Sequence, residues 1–183
     1  MSNLIGNFYK TTSILILAIL IQGCNAIDKL TIFDIDYSDE IVIPSAIGIN
    51  LPFNVFTPEI STNSESTFEI NDTRKDLVEE IKIKKLKLSI ISPANADFSF
   101  LNSINIYLNA DGLDEMLLGW NNDIPNDAGN TIELELSNED FQEFIKKDEI
   151  NLRVNTVTDK LLLSDHELKV DAVFRVNAKI LGV

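Results

Sequence analysis

The sequence predicts a mainly β chain: an antiparallel β-sandwich or flattened barrel with one or two short helices, preceded by an N-terminal signal helix. Three observations predict it. Apolar and polar residues alternate with a period of two along many short stretches, the pattern of half-buried strands. Turn signals separate these stretches at intervals of about 8 to 12 residues, as in sandwiches and barrels. The strand and helix alternation of parallel α/β folds is missing. Gly and Pro are sparse, at 7 and 5 of 183 residues, and 45% of the chain is hydrophobic. That composition supports a packed core rather than disorder.

The chain opens with a weakly positive stretch, the α-amino group and Lys10 with no acid, followed by an apolar run from Ser13 to Ile21. This is the layout of a secretory signal peptide. A spanning helix needs about 20 apolar residues, so the run is too short to cross a bilayer unaided. Directly after it come Gln22, Gly23 and Cys24, the only cysteine. With no second cysteine to pair with, an exported chain carries either a free thiol beside an ordinary cleavage site or a modified one.

The stretch Ile21-Gln22-Gly23-Cys24 resembles the lipobox of bacterial lipoproteins, in the relaxed form met among Bacteroidota. The resemblance covers the leader alone, and Ile at the first position and Gln at the second depart from the commonest box. It implies diacylglycerol addition to the Cys24 sulfur, cleavage between Gly23 and Cys24, and acylation, palmitate for example, of the new amino group. Two or more acyl chains, at about 0.8 kcal/mol per buried methylene, anchor stably where one is marginal. It further implies a cell-envelope location, with Asn25 in place of a retention Asp directing the protein to the outer membrane, facing the periplasm.

The expected domains are residues 1–23 as signal peptide, 24–29 as a short tether, and 30–183 as a single β-sandwich. Removing residues 1–23 takes one of the 15 basic residues and none of the 29 acidic ones, so the remaining 160 carry a net charge of −15. Such a charge excludes nucleic acid and anionic head groups as favoured partners.

Strands follow in order. Phe33, Ile35 and Tyr37 share a face opposite Asp34 and Asp36; Glu40 to Pro44 is a second run; Ile47 to Phe56 is a third, with Pro52 confining it to an edge or bulge. Thr67 to Ile70 reads as a short strand after a polar loop, and Lys75 to Glu80 as about two helical turns. Ile81 to Ile90 alternates with lysines, and the Lys84-Lys85 pair slips the phase by one, the mark of a β-bulge. Asp97 to Leu101 is an apolar turn suited to plugging one end of the core. Ile104 to Ala110 alternates, Asp111-Gly112 signals a hairpin that Leu113 to Glu115 lengthens, and Glu115 to Trp120 returns. Thr131 to Leu136 is a strand; Ser137 and Asp140 form a capping box for a helix from Asn138 to Lys147. Ile150 to Val154 precedes the apolar run Leu161 to Leu163, and Leu168 to Ile180 is the longest alternating strand.

Catalytic chemistry is hard to assemble. The single histidine, His166, reads as a surface turn residue, and no nucleophile elbow is present. One histidine and a lipidated cysteine leave no nitrogen and sulfur site for zinc or copper. Calcium needs only oxygen ligands, and Asp111, Asp114, Asp123 and Asp127 are the candidates, although turns use the same residue types. Asp34 and Asp36 share a face, as glycosidase carboxylates must, but so do any two acids spaced by two. Trp120, beside Asn121 and Asn122, is suited either to stacking on a sugar or to anchoring a hairpin. The expectation is a non-enzymatic, lipid-anchored envelope protein without a cofactor, whose sandwich contacts a protein partner. The alternative is a ligand-binding lipoprotein for glycan or lipid, and behind it an envelope hydrolase.

Overall fold

The computed structural model describes residues 32–45 and 49–180. The expected signal peptide, Cys24, the expected tether and Ile47 lie outside them. Two antiparallel sheets face each other, and the predicted sandwich, not the barrel, is what forms.

The first sheet has the order β1 (Ile32–Ile43), β10 (His166–Ala178), β4 (Val78–Ser92), β7 (Thr131–Glu133). The two runs expected at Phe33 and at Glu40 are one continuous strand, paired with β10 along its whole length. The predicted bulge is present, with Lys84 as the unpaired residue between Ile83 and Lys85. Two further register shifts, at Glu79 and Ile91, each insert one more residue. Each extra residue restores the inward phase, so Val78, Ile81, Ile83, Leu86 and Leu88 all stay buried despite their irregular spacing. The lysines lie on the solvent face, bound to acids: Lys84 and Arg175 to Asp34 at 2.6 and 3.1 Å, Lys87 and Lys169 to Asp171 at 3.4 and 2.8 Å.

The second sheet runs β2 (Pro52–Phe56), β9 (Glu149–Thr158), β5 (Leu101–Asn109), β6 (Met116–Asn121), β8 (Glu135–Leu136), with β3 (Ile60–Ser61) continuing the β2 edge along β9. Pro52 is on an edge strand, as expected, and the Asp111-Gly112 hairpin forms with the longer loop, Gly112 taking φ 74°. The segment from Thr131 to Leu136 is not one strand. It breaks at buried Leu134, whose N–H donates to Leu86 O at 3.0 Å, so β7 joins the first sheet and β8 the second. This crossover draws the sheets together beside Gly119.

Both helices differ from expectation. The first, α1 (Ser64–Ile70), occupies the predicted polar loop and strand: Asn63 O accepts the Thr67 N–H and hydroxyl, and Phe68 is buried against Phe33 while Ile70 is 82% exposed. Alternation of Phe68 with Ile70 imitated a strand, but only one of them packs. Lys75–Leu77 makes a single 3-10 turn before β4. The second helix, α2, is only Gln142–Ile145, because Asp140 is pulled onto β4 and its Oδ1 accepts the N–H groups of Ile81 and Gln142 at 2.9 and 3.1 Å. Phe141, Phe144 and Ile145 are buried, Phe141 edge-on to Phe174, which is itself edge-on to Tyr37. Burial pushes the Tyr37 phenol pKa up; its hydroxyl donates to Thr62 O at 2.9 Å.

Candidate functional site

Pairing fixes which loops share an end. The start of β1, the end of β10 (Ala178), α1 and the β5–β6 loop lie at one end of the sandwich. The end of β1, the starts of β10 and β5 and the ends of β4 and β9 lie at the other. A 12-residue strand extends about 40 Å, so β1 carries the chain from one end to the far one.

The far end is built from the Phe98–Phe100 turn, which buries Phe98 and Phe100 as the expected plug, and from the 159–165 loop. Asp97 caps the turn by accepting Ser99 N–H at 3.0 Å, and these bonds to Ser99 hold its carboxyl below the usual range. Around the plug, Val42, Ile49, Leu51, Ile91, Leu161 and Leu163 present exposed apolar side chains, six of the nine large ones exposed among the described residues. Leu163 is 91% exposed, while Leu162 between it and Leu161 turns inward. The apolar run therefore makes no strand; it is a loop that offers two leucines to solvent. An open cleft of about 410 Å³ lies against these leucines, floored by Phe100 and His166.

His166 is not a surface turn residue: it opens β10, is 8% exposed, and stacks tilted on Phe100 with centroids 4.5 Å apart, its Nδ1 3.0 Å from Ser164 O. Asp165 accepts Ser45 N–H at 2.8 Å, which lowers its carboxyl pKa and ties the loop to the end of β1. Asp34 is occupied by Lys84 and Arg175, in that order of effect, and sits below its ordinary pKa; this is a structural ion cluster on the outer sheet face, with Asp36 exposed beside it.

The four calcium candidates do not converge. Asp111 and Asp114 lie in the β5–β6 loop beyond Asn109, and Asp123 and Asp127 beyond Asn121, at the opposite end of the β5–β6 pair. Asp111 O accepts Lys147 Nζ at 2.9 Å, and Asp123 N–H donates to Asn121 Oδ1 at 3.1 Å, which is turn chemistry. Among the described residues no three His, Cys, Asp or Glu side chains gather as a metal site.

Trp120 lies half-buried on the outer face of the second sheet. Register places it in a row that crosses the sheet: Asn54, Asn155, Asn105, Trp120, Glu135. In the adjacent row Arg153 lies over the Tyr107 ring at 4.0 Å, grips Glu115 through Nε at 2.8 Å and Nη2 at 2.6 Å, and donates Nη1 to Asn54 Oδ1 at 2.7 Å. The Arg153 bonds hold the Glu115 carboxyl below its usual range.

No family model and no curated protein matches the chain. Among solved structures it is similar to N-glycanase F, with TM-score 0.43 and 14% identity over 83% of this chain; it spans 43% of that protein's length. It is also similar to the decameric BFDV capsid protein, TM-score 0.37 and 7% identity over 80% of this chain and 99% of that one. A Clostridium perfringens CBM32 domain, solved with GalNAc-β-1,3-galactose, gives TM-score 0.35 and 9% identity over 79% of this chain and 97% of that one. At these scores the likeness is distant and carries no functional argument.

Sequence reading singled out Trp120 and the Leu161 to Leu163 run but not their companions. Alternation assigns Asn105, Arg153 and Asn155 to polar faces, yet only strand register aligns them. The apolar far end is assembled from four separate segments, which only the fold brings to one end.

Proposed function

We propose that this chain is a lipid-anchored protein of the bacterial cell envelope, held by a diacylglyceryl group on Cys24 in the outer membrane and facing the periplasm. Its β-sandwich is a non-catalytic interaction module whose apolar far end docks on a protein partner. The observation that carries this reading is the gathering of exposed Leu161, Leu163, Leu51, Ile49, Ile91 and Val42 at the end opposite β1's start. Exposed apolar side chains collected at one end of a domain mark an interaction site. A bilayer is the wrong occupant, because the eight residues from Cys24 to Thr31 join the domain at its other end. The cavity lined by Tyr37, Asp39 and Phe174 is about 10 Å³, room for roughly one water and too small for an acyl chain.

Two experiments test this. Labelled palmitate should appear on the wild-type chain in a bacterial host and not on Cys24→Ala; an unlabelled chain whose fractionation ignores Cys24→Ala defeats the anchor. Photocrosslinkers placed at Leu163 should trap one discrete protein adduct in intact cells, abolished by Leu161→Asp, while crosslinkers at Glu65, exposed on α1 at the opposite end, trap none. Equal adducts from both positions, or none from either, defeat the docking end.

A further inference from the structure

We propose that the outer face of the six-stranded sheet is a second binding surface, taking an uncharged, hydroxyl-rich glycan along the row Asn54, Asn155, Asn105 and Trp120. Neighbouring strands are about 4.8 Å apart, so these four positions span about 14 Å across the sheet. Each carboxamide offers two donors and an acceptor in one plane, which matches sugar hydroxyls that both donate and accept. Part of this capacity is open. Asn105 makes no side-chain hydrogen bond among the described residues, whereas Asn54 Oδ1 accepts Asn155 Nδ2 at 3.0 Å and Arg153, leaving Asn54 Nδ2 and Asn155 Oδ1 without a partner among the described residues.

Two features favour a neutral occupant. The residues from Cys24 onward carry −15 overall, so an anionic polymer meets a repulsive field, while Asn54, Asn155, Asn105 and Trp120 are themselves uncharged. The Arg153 cation is neutralised by its two bonds to Glu115, and it also lies over Tyr107 and donates to Asn54. Glu135, exposed at the β8 end of the row, adds one strong acceptor for a hydroxyl pair. Trp120 closes the row with an apolar face for a ring's C–H side and an N–H at its edge. Arg153, Asn54 and Asn155 brace one another, so little side-chain freedom is lost on binding. The surface is separate from the apolar far end, and either can be disproved alone.

The test uses the full chain in detergent, titrated with cellotetraose, mannotetraose, chitotetraose and maltotetraose at up to about 5 mM, enough to detect millimolar affinity. Asn and Trp side-chain signals are followed by NMR, with tryptophan fluorescence as a second readout. At least one neutral tetrasaccharide should bind, with affinity lowered tenfold or more by both Asn105→Ala and Trp120→Ala. Asn105→Ala should keep the wild-type melting temperature, since its amide has no hydrogen bond among the described residues; it remains decisive if Trp120→Ala is unstable. The proposal is overturned if no neutral sugar shifts these signals, if Asn105→Ala binds like wild type, or if polygalacturonate or a protein displaces the sugar set as the preferred ligand.

Discussion

Gly119→Ala should destabilise the fold by about 1–3 kcal/mol, the usual cost of overpacking a core. A Cβ at Gly119 would lie 2.6 Å from Glu135 O and 2.8 Å from Leu86 Cδ2, where ordinary contact begins at 3.4 Å. The carbonyl must therefore retreat by 0.8 Å. Leu86 gives little, being 1% exposed in the core. Glu135 gives more readily, because β8 is two residues long and pairs only through Gly119 with Leu136 and Trp120 with Glu135. The strain should fall there, loosening β8 and the bond from Ser137 N–H to Leu118 O, 3.0 Å in the native chain. At about 2–4 °C per kcal/mol for a domain of this size, the melting temperature should fall by about 2–12 °C. Differential scanning calorimetry of the full chain in detergent measures it, with urea unfolding followed by circular dichroism as a check. Gly129→Ala is the matched control, since its added Cβ meets nothing within 4 Å; it should be neutral or stabilising by about 0.4–1 kcal/mol through the unfolded chain. A Gly119→Ala variant within about 0.5 kcal/mol of wild type would refute the claim that β6 is clamped between β4 and β8.

Asp140→Ala removes the acceptor shared by Ile81 N–H and Gln142 N–H, and should cost about 1–3 kcal/mol; the exchange of the Ile81 amide should accelerate, whereas loss of a mere surface charge would leave it unchanged. Acid should destabilise the protein below about pH 4. Asp34, held down by Lys84 and Arg175, Asp171, held down first by Lys169, and Glu115, held down by Arg153, all lie below their unfolded values. The unfolded chain then binds more protons as pH falls through the carboxylate range, so their contribution is present above about pH 4 and lost beneath it. These groups are exposed and salt-screened, so the effect should shrink in about 1 M salt. Relief of the negative charge acts oppositely above that range, giving a melting maximum near about pH 5; Asp34→Asn should flatten the acid limb, and an unchanged limb would remove Asp34 from the account.

Most of the sandwich is legible from alternation alone. Inward residues on β5, β9 and β10 lie where the period of two puts them, because both sheets have one wet face and one buried face. Even the Lys84 bulge is written as a one-residue phase slip. Where a segment's partners are distant, the pattern misleads. Phe68 and Ile70 alternate as a strand does, but burial of Phe68 against Phe33 and the bonds to Asn63 O make a helix. Ser137 and Asp140 read as a local cap, yet Asp140 bonds Ile81, which is 59 residues away in sequence.

What the sequence by itself determined is the class of fold, the inward residues of the long strands, and an apolar N-terminal run followed by one cysteine, for each of these is written in local spacing and hydrophobicity. Tertiary structure decided the rest. It split Thr131 to Leu136 between two sheets, buried His166 on Phe100, parted the calcium candidates to opposite ends, and aligned three asparagines with Trp120. The physical reason is that register and end-to-end placement are set by hydrogen bonds between strands far apart in the chain, which local periodicity does not encode.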